Sequence, residues 1–236
     1  MELVSPVTFW LSLTAARPFS TLTLPTRILA LAFLTHYTNR AVISVIRQKG
    51  KRSPMHIVVP LFAATFNLAN GHTVGTWLSG ATSSASRSGA VPETALYTPA
   101  FVGGVALWVA GFVGNLVHDE ILRRLRGPGK PAYSIPHGLL YDWPFGGISF
   151  PNYLCEWAEW AGFAIAATHA RCPPPLFGMG VVATTLTEKL ISPPWLFVGL
   201  EIVTMLPRAL SGHRWYKQKF GEKLPRGRKA VTPGVL

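Results

Sequence analysis

Pro99-Ala100-Phe101-Val102-Gly103-Gly104-Val105-Ala106-Leu107-Trp108-Val109-Ala110-Gly111-Phe112-Val113-Gly114-Asn115-Leu116-Val117 carries no charged side chain. Roughly 20 mostly apolar residues suffice to cross the hydrocarbon core of a bilayer as a helix, so this stretch predicts a membrane span. His118, Asp119 and Glu120 follow it, and then a basic cluster of Arg123, Arg124, Arg126 and Lys130. An apolar run closed by basic residues is the pattern of a span whose end faces the cytosol. The rest of the chain repeats it. Leu29 to Ile46, Met55 to Leu78 and Tyr153 to Ala170 are further strong candidates, and Trp195 to Leu210 is a shorter one ending at basic residues that can snorkel.

Working outward, Ser5 to Ala16 is apolar but short and is closed by Arg17-Pro18. It lacks the positive start and small-residue cleavage site of a signal peptide, so it reads as a shortened membrane helix. Pro173 to Ile191, with three consecutive prolines and Glu188-Lys189, suits a re-entrant or interfacial piece. Lys49, Lys51 and Arg52 form a second basic cluster, and Arg208, Arg214, Lys217, Lys219, Lys223, Arg226, Arg228 and Lys229 form a third. All three clusters are expected on the cytosolic side, and the Ser79 to Thr98 loop on the other. Parity agrees: two crossings between the Arg123 cluster and the tail leave no room for Pro173–Ile191 to cross as well.

Composition supports the same class. Charged residues make up 14% of the chain and hydrophobic ones 49%, whereas soluble domains carry about 25% charged residues. A net charge of +12 can signal nucleic-acid binding, but here it sits in clusters between apolar runs, so no nucleic-acid partner is expected. Cys155 and Cys172 are too few for a disulfide framework or a zinc site, and no metal site is expected. The reading is an all-α, polytopic membrane helical bundle of about six transmembrane helices, forming a single membrane domain over residues 1–236.

Ionisable side chains inside membrane helices are costly and so mark candidate functional positions. His36, Tyr37, Asn39 and Arg40 fall in one span, and Asn67, Asn70 and His72 in the next. Asn115, His118, Asp119 and Glu120 end the third, and Glu156 and Glu159 lie in the fourth beside Trp157 and Trp160. Any one of them is as well explained by a helix–helix hydrogen bond; together they are too many for that alone. Tyr37 and Arg40 share a helix face, as do Glu156 and Glu159. Arginine matches phosphate, Asn and carboxylate suit ribose and amide groups, and the apolar remainder suits a lipid. No Gly-x-Gly-x-x-Gly fingerprint or nucleophile elbow is present. The residues alone therefore predict a membrane pocket for one anionic and one apolar ligand.

Several ordered motifs go further: Asn115-x3-Asp119-x-Ile121-Leu122-Arg123-x-Leu125-Arg126-x-Pro128-Gly129, Tyr133-x-Ile135-Pro136-x-Gly138, and Pro151-Asn152-Tyr153-x2-Glu156-x2-Glu159-Trp160. Arg208-Ala209, His213-Arg214-Trp215-Tyr216, Phe220 and Arg228-Lys229-Ala230 follow; upstream, His36-Tyr37-x2-Arg40 and Asn70-Gly71 also fit. As an ordered series these motifs resemble the steroid 5-alpha-reductase family, whose members reduce carbon–carbon double bonds with NADPH. The likeness runs from Glu2 to Leu236 and is strongest over 85–236, the family's carboxyl-terminal reductase region.

The resemblance implies an oxidoreductase acting on CH–CH groups with NADP as acceptor, on a 3-oxo-4-ene steroid or similar lipid enone. Tyr37 would polarise the enone carbonyl, with Glu2 as its carboxyl partner. A cytosol-facing cavity would hold NADPH through Arg40, Lys51, Asn115, Asp119, Arg123, Arg126, Tyr133, Asn152, Glu156, Trp160, Arg208 and Tyr216. The implied setting is the endoplasmic reticulum membrane, as a monomer with a cytosolic carboxyl end, acting in steroid metabolism. Pro151-Asn152-Tyr153 also occurs in enoyl-CoA reductases of the same superfamily, so an enoyl-CoA or polyprenol substrate is the alternative. A catalytically impaired homologue and, more remotely, a membrane methyltransferase complete the field.

The chain departs from the family pattern in places. Ser134 stands where the family usually has Arg before Ile-Pro, which removes one cofactor charge contact. Only His213 remains of a histidine run, and Leu139 replaces the second glycine after Ile135-Pro136. Extra sequence separates Ala170 from Trp195. The likeness begins at the family's second helix, which leaves Glu2 at a frayed chain end.

Overall fold

The computed structural model describes residues 1–47, 56–80, 91–125, 131, 133–144, 147–169 and 191–234. Seven α-helices organise them: α1 (Val4–Thr14), α2 (Leu24–Thr38), α3 (Ser44–Arg47), α4 (Val58–Ser79), α5 (Pro99–Arg124), α6 (Pro151–His169) and α7 (Pro193–Phe220). A π-helical stretch, Asn39–Ile43, joins α2 to α3. There is no strand among the described residues, only an isolated parallel bridge between Ile148 and Lys229.

The helix ends follow from local chemistry. Thr23 accepts from the Thr26 amide and Pro25 sits in the first turn, so α2 starts at Leu24, earlier than the apolar run suggests. The Leu24 amide also donates to Glu93 at 2.9 Å, an anion on a helix amino-terminus. Two helices outlast their apolar runs. α5 continues past Val117 to Arg124 because Glu120 pairs with Arg123 at 2.6 Å and Arg124 at 2.7 Å, at helical spacing. α7 runs past Leu210, through Gly212 and on to Arg214, Lys217, Gln218 and Lys219, which favour helix, and stops at Gly221, whose φ of +51° ends it.

Three helical segments are long and apolar enough to cross a membrane among the described residues: Leu24–Arg47, Pro99–Arg124 and Pro193–Lys223. α1 is apolar but short. At 22 and 19 residues α4 and α6 match the expected length, yet they fall outside that group. They carry Asn67, Asn70 and His72, and Asn152, Glu156 and Glu159 respectively. The polar residues that mark them as functional candidates are the ones that lower their hydropathy. Most of Pro173–Ile191, with Lys49, Lys51, Arg52, Arg126 and Lys130, lies outside the described residues.

The chain divides into two compact units. The first comprises Met1–Val105 with Phe163–Phe197. Here α1 lies against α4, and Gly71 is what lets it approach: a Cβ added there would collide with Thr8 Oγ1 and the Ser5 carbonyl. Phe9 stacks on Phe33 with centroids 4.0 Å apart, and Phe33 contacts Tyr37 at 4.8 Å.

The second unit comprises Ala106–Gly162 with Val198–Leu236. In it α5 and α6 meet through Gly111, where an added Cβ would strike the Glu159 amide and the Cys155 carbonyl. The tail pairs with the segment leading into α6: Lys229 N donates to Gly147 O at 3.0 Å, Ser149 N to Lys229 O at 2.9 Å, and Phe150 N to Ala230 O at 2.9 Å. Ala209, Ala230 and Val231 form a core with Phe150, Tyr153 and Trp157 packed on it.

Candidate active site residues

In the first unit Tyr37 is buried at the end of α2, two residues ahead of the π-helical stretch. Single-turn π segments inside helices occur often at functional sites, because they re-aim the following side chains. Asn70 Nδ2 on α4 donates to the Tyr37 hydroxyl at 2.9 Å, and both residues are buried. A phenol oxygen that accepts this bond directs its own proton elsewhere, the arrangement an oxyanion donor needs. Arg40 Nε lies 3.7 Å from Glu2 Oε1, with both side chains about one-third exposed at 36% and 34%. The structure thus gives Glu2 an arginine partner, and gives Tyr37 an amide from Asn70.

In the second unit His118 and Asp119 on α5 meet Cys155 and Asn152 on α6. Asn152 Nδ2 donates to Asp119 Oδ1 at 3.2 Å, and Cys155 Sγ lies 3.8 Å from His118 Nδ1. Asn115, Asn152, Glu156 and Trp160 are all buried. Among the described residues, Asn115 Oδ1, Asn152 Oδ1 and His118 Nε2 are buried with no hydrogen-bond partner. A buried polar atom left in that state costs roughly 1–3 kcal/mol, which makes these three, on two helices of one unit, candidates for contact with water or a ligand.

The loop between α5 and α6 is held from the tail. Arg228, 3% exposed, donates to the Pro136 carbonyl at 3.3 Å and to Asp142 Oδ1 at 3.0 Å. Asp142 also accepts from the Gly138 amide at 2.6 Å and faces His137 at 3.2 Å. Burial pushes the Asp142 carboxyl up, but the Gly138 amide, His137 and Arg228 together hold it below its ordinary range. Burial likewise pulls the Arg228 guanidinium down, against the opposing pull of Asp142. Tyr141 is fully buried with its ring edge-on to His118 at 5.5 Å. Burial first, then Tyr216 and Asp119, push its phenol far above the usual range, so it stays neutral.

Within this loop Leu139 adopts φ +49°, beside Gly138 at +101°. A non-glycine residue in that region costs about 1–2 kcal/mol, and the Leu139 side chain, 62% exposed, gains little packing in return. Leu139→Gly is therefore expected to stabilise the protein by about 1 kcal/mol, raising Tm by roughly 2–4 °C in a thermal melt of the solubilised protein.

The other expected positions are more scattered. Arg123 is exposed and bonded to Glu120 on its own helix. Tyr133 is 58% exposed, edge-on to Trp215 at 5.1 Å, with Lys219 Nζ 5.4 Å over its ring. Tyr216 packs on Phe220 at 5.8 Å, and Arg208 is exposed on α7. Ser149 Oγ and the surviving histidine, His213 Nδ1, lie 2.8 Å apart. Lys51 and Arg126 are outside the described residues. No group of three His, Cys, Asp or Glu among the described residues could hold a metal ion. Sequence reasoning assigned no role to Tyr141, or to the pair of Asp142 and Arg228. The available signal was the scarcity of acid: with ten Asp and Glu in the chain, each invites a search for its partner.

Known proteins carry the same pattern. A family model described as 3-oxo-5-alpha-steroid 4-dehydrogenase matches residues 51–192 and 181–236. The chain belongs to the 3-oxo-5-alpha-steroid 4-dehydrogenase family. The 3-oxo-5-alpha-steroid 4-dehydrogenase 1 of Rattus norvegicus is 33% identical over 213 residues, covering 90% of this chain and 69% of the rat protein. Steroid 5-alpha-reductase DET2 of Solanum lycopersicum is 30% identical over 236 residues, covering 96% and 76%. An uncharacterized protein of Schizosaccharomyces pombe is 32% identical over 269 residues, covering all of this chain and 82% of its own length. Members of this family are oxidoreductases, and the three apolar helical segments fit an integral membrane protein.

Proposed function

We propose that this protein reduces the carbon–carbon double bond of a 3-oxo-4-ene steroid, or a similar lipid enone, with NADPH. The observation that carries the reading is the Asn70–Tyr37 hydrogen bond, buried on the two helices whose motifs match the family. NADPH, when bound, supplies the hydride for the β carbon. Reduction there builds negative charge on the enone oxygen, and Tyr37 meets that charge with its hydroxyl proton. Preorganised donors of this kind are worth about 3–4 kcal/mol in a dry site. Glu2 and Arg40, paired at 3.7 Å, set the charge near the same helix end.

The second unit's chemistry fits a dinucleotide. Asn115 Oδ1 and Asn152 Oδ1 are acceptors buried without a partner among the described residues, suited to ribose hydroxyl or amide donors. Asp119 and Glu156 add carboxylates on the same two helices. Arg123 and Arg208 supply cations for phosphates, as we expect of Lys51 and Arg126 outside the described residues, with Tyr133, Trp160 and Tyr216 as ring surfaces. We assign the protein to six spans, α1, α2 with α3, and α4 to α7, in the endoplasmic reticulum membrane, as a monomer with its carboxyl end cytosolic. An enoyl-CoA or polyprenol substrate is the second reading, favoured by Pro151-Asn152-Tyr153 at the start of α6.

Membranes bearing the protein, given NADPH and a panel of enone steroids, are expected to yield 5-alpha products. Turnover of enoyl-CoA esters without steroid turnover would select the second reading. Absence of both, with folded protein, would reject the reductase assignment.

A further inference from the structure

Beyond α7 the chain turns back on itself twice. Gly221 and Gly227 have φ of +51° and +82°, backbone conformations that side-chain-bearing residues rarely adopt. Leu224 N bonds Gly221 O at 3.2 Å and Arg228 N bonds Pro225 O at 3.3 Å, so both turns are closed by backbone hydrogen bonds. The result is a cavity of about 270 Å³ lined by Lys217, Arg226, Arg228 and Lys229 with the two glycines, Leu224 and Pro225. Glu222 is the one acid between Lys217 and Lys229, and it is not part of the lining.

One of the lining residues is held in place. Arg228 is 3% exposed and anchored on Asp142 and the Pro136 carbonyl, yet its Nε is buried without a partner among the described residues. Lys217 and Arg226 are exposed, and Asp142 offsets only one of the four cations. Cavities that hold drug-sized molecules run to about 300–1,000 Å³, so this one suits a compact anion better than a whole dinucleotide. Its position narrows the choice. The apolar segment Pro193–Lys223, long enough to span a bilayer, ends within the cavity's own residues. A cluster of cations at that depth lies at headgroup level, where each Lys or Arg near an anionic surface adds about 1 kcal/mol of attraction.

We propose that this cavity is a phosphate site, separate from the dinucleotide residues, that takes the phosphate of an anionic phospholipid headgroup or a free phosphate ion. The inference rests on α7 as a membrane span and not on which double bond the protein reduces.

The test uses the full-length protein in nanodiscs of phosphatidylcholine, with or without phosphatidic acid, and native mass spectrometry to count retained lipid. Wild-type protein is expected to retain phosphatidic acid over phosphatidylcholine. The double variant Lys217→Gln with Arg226→Gln is expected to bind it about 30-fold more weakly, from two lost charges. The charge-keeping pair Lys217→Arg with Arg226→Lys is expected to retain it. Displacement of the lipid by inorganic phosphate would identify the bare anion as sufficient, and persistence would identify the lipid headgroup; both support the site. Equal retention by wild type and the Gln variant, at an unchanged melting transition, overturns it. So does a parallel loss of NADPH affinity, read by cofactor fluorescence, which would merge the cavity with the dinucleotide site. Absence of NADPH binding by the wild type would reject the reductase reading and leave the lipid measurement intact.

Discussion

Tyr37→Phe is expected, on the proposed mechanism, to slow the reduction step by roughly 100-fold or more while dinucleotide affinity stays at the wild-type value. The phenylalanine ring keeps the stack with Phe33 at 4.8 Å, so the packing of α2 is retained and only the hydroxyl is lost. The loss has two parts. The enone oxygen forfeits its proton donor, and Asn70 Nδ2, buried at 2.9 Å from the missing oxygen, loses its recorded acceptor. Single-turnover measurement with saturating cofactor isolates the step, and a thermal melt separates the chemical loss from the structural one. Asn70→Ala is expected to lie between wild type and Tyr37→Phe in rate, because it removes the bond that orients the phenol but leaves the phenol itself. A Tyr37→Phe protein with wild-type turnover would remove Tyr37 from the mechanism altogether.

Gly111→Val is expected to cost about 3 kcal/mol or more and to abolish cofactor binding along with stability. The Cβ at this position meets the backbone of α6, the Glu159 amide and the Cys155 carbonyl, and no flexible side chain can yield. Overpacking ordinarily costs about 1–3 kcal/mol, and relief here demands that one helix move away from the other. Such a movement separates Asn115 and Asp119 from Asn152, so the 3.2 Å bond between Asn152 and Asp119 breaks with it. Thermal unfolding followed by size-exclusion chromatography in detergent checks the stability, and NADPH titration below the transition checks the site. As a control, Gly103→Val on the same helix meets nothing within 4 Å and is expected to be tolerated.

The helices were legible because apolar runs and their basic ends are local patterns: all six expected segments are helical, and α1, α4 and α6 match their expected bounds within three residues, whereas α2 starts five residues early and α5 and α7 run seven and ten residues long. The polar candidates were legible for a related reason: Asn, Asp and Glu stand out against a hydrocarbon background, and Asn115, Asn152 and Glu156 are each buried. What stayed hidden depends on residues far apart in the chain. Arg228 and Asp142 are 86 positions apart, and neither is preceded by any spacing that announces the other. The departure from Gly-Gly at Gly138-Leu139 could be read, but the sign of the Leu139 backbone angle could not, since it belongs to a loop that Asp142 closes onto the Gly138 amide and His137 and that Arg228 holds from far along the chain. Glu2 shows the same limit from another direction, since its arginine neighbour Arg40 comes from the π-helical turn that no apolar run predicts.

The docking of Lys229 and Ala230 alongside Gly147 to Phe150 makes the final stretch of the protein a girder of the second unit. Cutting the chain ahead of Arg228 would strip Val231 from the core, expose the underside of the loop at Pro136, and leave Asp142 without its cation. A protease or a frameshift acting at that one place would disable the protein as completely as the loss of any side chain that touches substrate.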